Sequence, residues 1–233
     1  HGDMAGFVEI HIEQGRVLEA AEEDLGVVTA IVGITRLSID IEGRADHSGA
    51  TPMGLRKDAL VAAALMIAAF EERAKQDQGT PMVATVGKLD VLPNASNVVP
   101  GRVSFVLEIR AGQAQTLARY EKWAKRLAYS IAADRGLTAQ VRVLGQSEPI
   151  SMDTSIQLAI SDSAFAAGYK YRSMPSGAGH DAAHVAIFAP SGMIFVPCLD
   201  GRSHCPEEFC TPEQMAKGVQ ALVDTLIALD ARS

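Results

Sequence analysis

No apolar run in this 233-residue sequence is long enough to cross a bilayer, which takes about 20 residues in a helix. The longest, residues 61–70, is Ala-rich and carries a helical spacing instead. No dense run of Lys and Arg offsets the formal net charge of −7, so a polyanion such as nucleic acid is repelled, and the charge reads as simple solubility. Cysteine is scarce. Cys198, Cys205 and Cys210 lie near the C-terminal end, odd in number and without a Cys-x-x-Cys pair. That argues against a disulfide scaffold and leaves a zinc site with His204 poorly supported. Free thiols in a reducing cytoplasm are the expectation. Residues 1–4 read as neither a signal nor a transit peptide. No internal repeat, low-complexity segment or Ser-x-Gly nucleophile elbow is present, and neither the Walker nor the dinucleotide glycine spacing is met. Cys205 neighbours His204, but adjacent residues on an extended segment point to opposite sides, which disfavours a Cys–His dyad.

What is present is an ordinary globular mixture, 48% hydrophobic and 21% charged, in a length that fits one large domain or two small ones. Residues 35–42 (TRLSIDIE) alternate, with Leu37, Ile39 and Ile41 on one side and Ser38, Asp40 and Glu42 on the other, as a half-buried strand does. Residues 55–75 repeat apolar positions at helical spacing, and Thr51-Pro52 supplies a capping hydroxyl and a proline at the expected start. Strands over 82–91 and 103–110 follow, separated by a turn at 93–97. A helix over 115–134, ended near Gly136, precedes a fourth strand over 137–144. The order βαββαβ is that of a ferredoxin-like domain, here over 34–145.

The flanks differ. Residues 7–12 form a short strand. After 145 come a helix (154–167), a strand (171–174), a Gly-rich turn (176–179), a helix from about 181, a strand (193–197), a loop (198–210) and a last helix (212–230). The simplest architecture is an α/β domain, pieces 1–33 and 146–233, with the ferredoxin-like domain inserted. The first piece is too small to stand alone, so further chain upstream is expected.

Six segments carry polar chemistry. His11-Ile12-Glu13-Gln14-Gly15 ends a strand at a sheet edge, where α/β folds place ligands. Asp46-His47-Ser48-Gly49-Ala50-Thr51-Pro52 lies between strand and helix of the inserted domain, and Asn94-Ala95-Ser96-Asn97 lies in its turn. Arg110 ends VSFVLEIR, and its planar donor fork suits a carboxylate. Ser176-Gly177-Ala178-Gly179-His180-Asp181 lets backbone approach a ligand closely. Gly201-Arg202-Ser203-His204-Cys205 follows a buried strand. Each alone reads equally as surface: a strand-end His or Arg is more often solvated than functional.

Taken in order, HIEQG, ADHSGATPM, NxxNVVPG, the strand ending in IR, SGAGHDA and GRSHCPEE resemble the amidase, hydantoinase and carbamoylase branch of the metal-dependent aminoacylase-type peptidases. That branch includes N-carbamoyl-L-amino-acid hydrolase, allantoate amidohydrolase and β-ureidopropionase. The resemblance implies a zinc-peptidase-like α/β catalytic domain with a lid that carries a homodimer interface. It implies two divalent ions, zinc or manganese, with His11 on one and His204 on the other. Gln14 is matched to the substrate's ureido group. His47, expected to stabilise the oxyanion, and Asn97 reach an active site, that of the partner subunit. Arg110 is matched to the substrate carboxylate, and Gly179, His180, Asp181 and Gly201 to site-lining turns. The branch also has a His-x-Asp, a bridging Asp and a Glu-Glu pair ahead of HIEQG, and no such segment precedes His11 here. The expectation is therefore a C-terminal part lacking the general base and three ligands, inactive alone and in the extreme without metal.

Three functions follow. The first is a hydrolase of ureido compounds, releasing ammonia, carbon dioxide and an L-amino acid. The second, motivated by the missing ligands, is a non-catalytic dimerisation or binding module; an upstream His-x-Asp and Glu-Glu would discriminate against it. The third is a peptidase or aminoacylase, which peptide-cleavage assays would reveal. No nucleic-acid or membrane partner is expected.

Overall fold

The computed structural model describes residues 4–76 and 82–231. The chain divides into two compact units: His1–Val32 joined to Pro149–Ser233, and Gly33–Glu148. The first unit opens with β1 (Phe7–Ile12), α1 (Val17–Ala21) and β2 (Leu25–Ile31). The second contains β3 (Gly33–Glu42), β4 (Asp46–His47), α2 (Ala59–Gln76), β5 (Met82–Leu92), β6 (Val98–Val99), β7 (Arg102–Ala111), α3 (Ala114–Asp134) and β8 (Thr138–Ser147). The first unit then resumes with β9 (Ile150–Ser151), α4 (Thr154–Ala166), β10 (Tyr171–Ser176), α5 (Asp181–Val185), β11 (Ser191–Val196) and α6 (Pro212–Asp230). Among the described residues no helix is long and apolar enough to cross a membrane.

In the Gly33–Glu148 unit, four antiparallel strands take the order β5-β7-β3-β8, the ferredoxin-like arrangement. Alternation decides the faces. Leu37, Ile39 and Ile41 of β3 and Val103, Phe105, Leu107 and Ile109 of β7 are buried with α2 and α3. Ala59, Ala62, Ala63, Ala124 and Ala128 are fully buried on the helices, so small side chains face the sheet and the long ones, Met66 and Phe70, fill the gaps. Each fully buried Leu, Ile or Phe contributes about 1.5–3 kcal/mol relative to exposure.

Two local expectations are corrected. The helix starts at Ala59, not beside Thr51-Pro52. Residues Met53–Leu55 form a 3-10 turn, Arg56 is extended, and Asp58 Oδ1 accepts the Leu60 and Val61 N–H groups at 2.9 and 3.1 Å as the actual cap. Asp40, read as water-facing, is only 8% exposed. Ser104 Oγ donates to it at 2.6 Å, and Arg142 and Arg102 at 2.8 and 3.4 Å. The Ser104 bond, against the opposing effect of burial and with both arginines helping, holds the carboxyl below its usual range.

In the other unit the sheet order is β1-β11-β2-β10, with β9 on β2. β1 runs parallel to β11 and β10 parallel to β2, while β11 and β2 are antiparallel. Every residue of β11 is buried because both faces are covered. Ile156, Ile160 and Ala221 from α4 and α6 pack with Leu25, Val27, Ile194 and Val196; Leu18, Met174 and Ala182 pack with Val28, Met193 and Phe195 on the other side. Gly218 lets α6 close on β1: a Cβ there would stand 2.4 Å from Val196 Cγ1 and 2.5 Å from Ile10 Cδ1. α1 and β2 were not expected from the sequence. LGVVTAI has no alternation to mark a strand, since a strand buried on both faces shows none.

Candidate active site

β1 carries Glu9 and His11 two residues apart, hence on one side of the strand. The turn after β10 brings His180 against them. The His11 and His180 rings meet edge-on with centroids 4.6 Å apart, and His180 Nδ1 is 3.7 Å from Glu9 Oε1. The His180 side chain is 1% exposed, and its Nε2 is 2.7 Å from Ser176 Oγ. Burial, with the neighbouring His11, lowers the His180 pKa to about 4, so the ring is neutral at pH 7. Glu9 Oε2 accepts the Ala182 N–H at 2.8 Å, tying β1 to the start of α5. Asp181 is exposed, and a Cβ on Gly179 would meet nothing within 4 Å, so the protein itself leaves space there.

Beyond β1 the chain turns sharply. Glu13 is buried, and its two oxygens accept the Val17 and Leu18 N–H groups at 2.8 Å each. That capping leaves Gln14, at φ 59°, presented at the turn. Gln14 Nε2 donates to Ser203 Oγ at 2.7 Å and lies 3.4 Å from His204 Nε2. Gly201 makes the juxtaposition possible. It has φ 64°, and a Cβ would come within 2.6 Å of the Gly15 carbonyl carbon. The His204 N–H donates to Glu208 at 2.9 Å. That bond first, then Ser203, holds the Glu208 carboxyl below its usual range, with the His204 and His11 rings adding.

The Gly33–Glu148 unit holds the remaining expected residues. β4 pairs with β6, and the Ser48 N–H donates to the Asn97 carbonyl at 3.0 Å, so the loops bearing His47 and Asn97 are neighbours. Both side chains are exposed. His47 Nδ1 accepts the Gly49 and Ala50 N–H groups at 3.1 and 3.2 Å. In the neutral ring the proton therefore sits on Nε2, which faces outward as a donor. Arg110 on β7 donates through Nε to Glu108 at 2.8 Å, and Glu108 also takes Arg36 Nε at 2.6 Å. Burial opposes ionisation of Glu108, but the two arginines outweigh it and keep the carboxyl below its usual range.

Within the first unit, then, the fold brings His11, His180, Gln14 and His204 into one region. Among the described residues, the His/Cys/Asp/Glu group close enough to hold a metal is Glu9, His11 and His180. His204 lies outside that group, beside Gln14, and the three cysteines are free. Sequence reading did not single out Glu9 or Glu108, and it gave Ser176 and Ser203, within its candidate segments, no role of their own. The alternation of β1 and β7 carried a signal for Glu9 and Glu108, each two residues from an expected site residue. The pairing of Ser203 with Gln14 carried none.

Residues 1–228 match the model of peptidase family M20/M25/M40. An N-carbamoyl-L-amino-acid amidohydrolase of Paenarthrobacter aurescens is 38% identical over 228 residues, covering 98% of this chain and 55% of that protein. An allantoate amidohydrolase of Bacillus subtilis is 37% identical, covering 97% of this chain and 55% of its own length. A crystal structure of an amidase of the hydantoinase/carbamoylase family from Burkholderia multivorans superposes with a TM-score of 0.93 at 36% identity, over 97% of this chain and 55% of that one. The chain spans about half the length of the relatives it matches.

Proposed function

For this chain, which belongs to peptidase family M20/M25/M40, we propose a part in a protein that hydrolyses the ureido C–N bond of N-carbamoyl-L-amino acids. The observation that carries the reading is the meeting of Gln14, Ser203 and His204 at the end of the strand that bears His11. An amide, a hydroxyl and two imidazoles form a polar set able to orient a ureido group. Relatives 38% and 40% identical are named for that substrate class.

In this reading His11 and His204 each hold one of two divalent ions, zinc or manganese. The ions, when bound, make water nucleophilic and polarise the ureido carbonyl. Gln14 orients the ureido group, and Arg110 takes the substrate carboxylate through its planar fork. His47 donates from Nε2 to the oxygen that gains charge. Gly179, His180 and Gly201 line the substrate, and Asn97, like His47, serves the site of a partner subunit. The Gly33–Glu148 unit acts as lid and homodimer contact. Three free cysteines support a reducing, cytoplasmic setting.

Ammonia release by the whole protein, with manganese or zinc, tests the proposal. Turnover of N-carbamoyl-L-amino acids above allantoate is expected. Preference for allantoate, the substrate named for the 37% identical relative, keeps a ureido hydrolase and changes its substrate. No ammonia from either overturns the reading in favour of a binding module, and cleavage of peptides alone in favour of a peptidase.

A further inference from the structure

One side chain grips the turn that bears His47. Arg56 Nη2 donates to the Ser48 carbonyl at 2.5 Å, and Arg56 Nε donates to the Thr51 carbonyl at 3.0 Å. Both carbonyls belong to one tight turn, which the Thr51 N–H closes on the His47 carbonyl at 3.1 Å. A planar guanidinium holds its donors in a fixed fork, so bonds to two carbonyls set both the place and the tilt of those peptide groups. Arg56 is half-buried, and the backbone beside it is anchored. The Arg44 N–H donates to the Lys57 carbonyl at 3.0 Å, and a Cβ on Gly43 would stand 2.1 Å from that same oxygen.

That grip reaches the ring through one peptide unit. The Ser48 carbonyl and the Gly49 N–H share a planar trans peptide, in which the two groups point in opposite directions. Drawing the carbonyl onto Arg56 therefore aims the N–H the other way, at His47. His47 Nδ1 accepts it at 3.1 Å and accepts the Ala50 N–H at 3.2 Å. A proton on Nδ1 would have no acceptor there and would face two donors, so the neutral ring keeps its proton on Nε2.

We propose that Arg56 is a positioning residue for the reaction: its fork holds the His47 turn so that the imidazole stays in the tautomer with Nε2–H as donor. An arginine that served the surface alone would turn to a carboxylate or to water, whereas this one directs both bonds to the turn of one ring. The inference rests on the reading that His47 donates to the oxygen that gains charge. It adds the side chain that keeps that donor ready before substrate arrives, which is what makes such a donor effective.

Nitrogen-15 labelling of the histidines in the whole protein, read at pH 8, tests this, because ring nitrogens with and without a proton differ widely in chemical shift. The His47 signals are those lost in His47→Gln. In the parent, Nε2 should read as protonated and Nδ1 as bare. Arg56→Ala should let the proton move partly to Nδ1, drawing the two shifts together. It should also lower kcat for a carbamoyl amino acid about 10-fold with KM within about twofold. Arg56→Lys keeps the charge but not the fork and should fall between the two. If Arg56→Ala unfolds, as circular dichroism would show, Arg56→Lys decides alone. Unchanged His47 shifts in the folded variant overturn the proposal, as does an Arg56→Lys protein that matches the parent in shifts and kcat. So does a kcat that falls in His47→Ala and not in Arg56→Ala. Shifts that move as expected, with kcat unchanged in both Arg56→Ala and His47→Ala, overturn the role of His47 instead and leave the hold of Arg56 on its ring standing.

Discussion

Gln14 and Ser203, 189 positions apart in the chain, are joined by a 2.7 Å hydrogen bond from the amide nitrogen to the hydroxyl. Two sharp backbone turns make it possible, with Gln14 and His204 both at φ 59°. A non-glycine residue in that region is uncommon and persists where its surroundings hold it. Here the surroundings are the buried Glu13 carboxylate below Gln14 and the Glu208 carboxylate below His204.

Glu13→Ala removes the acceptor of two N–H groups at the start of α1. The chain should lose about 1–3 kcal/mol of stability, as for stranding buried donors. Urea unfolding measures it. An unchanged midpoint would show that water replaces the carboxylate without penalty.

Asp40 should make stability fall in acid. Its folded pKa lies below the usual carboxylate value of 3.8. Below that value the unfolded chain binds more protons than the folded one, so the contribution is present above about pH 4 and is lost as pH falls through the folded pKa. Thermal midpoints between pH 2 and 6 should drop in acid for the parent and drop less for Asp40→Asn. Asp40→Asn should also cost about 1–2 kcal/mol at pH 7, a figure kept small because Arg102 and Arg142 are half exposed. Parallel pH curves would remove Asp40 as the source.

Arg110→Ala in the whole protein should raise KM for a carbamoyl amino acid about 10- to 100-fold, or about 1.4–2.7 kcal/mol, with a smaller change in kcat. The loss stays moderate because Glu108 keeps Arg36 as its partner. Unaltered KM takes Arg110 out of substrate recognition.

His47→Ala should act on the other parameter. If Nε2 donates to the charge that develops in the reaction, kcat should fall about 10²–10³-fold. The fold should be unaffected, since His47 is exposed and its ring accepts only from its own loop. Steady-state kinetics separate this from a binding role, which would appear in KM alone.

Alternation over 35–42 and 103–110 and helical spacing over 115–134 carried the Gly33–Glu148 sheet and its helices, because a one-sided strand or helix writes its burial into its own period. The motifs singled out His11, His47, Arg110 and His204 as candidates. β2 was not legible, since a strand buried on both faces has no period to read. Nor was the burial of Asp40, which depends on Arg102 and Arg142 from two other strands. The grouping of Glu9 and His11 with His180 was decided by the tertiary structure alone. The sequence by itself determined which side chains each strand presents to which face. Only the parallel pairing of β1 with β11, and the return of the chain from β10, determined which of those side chains meet, because contacts between residues far apart in the chain follow strand order and register rather than local spacing.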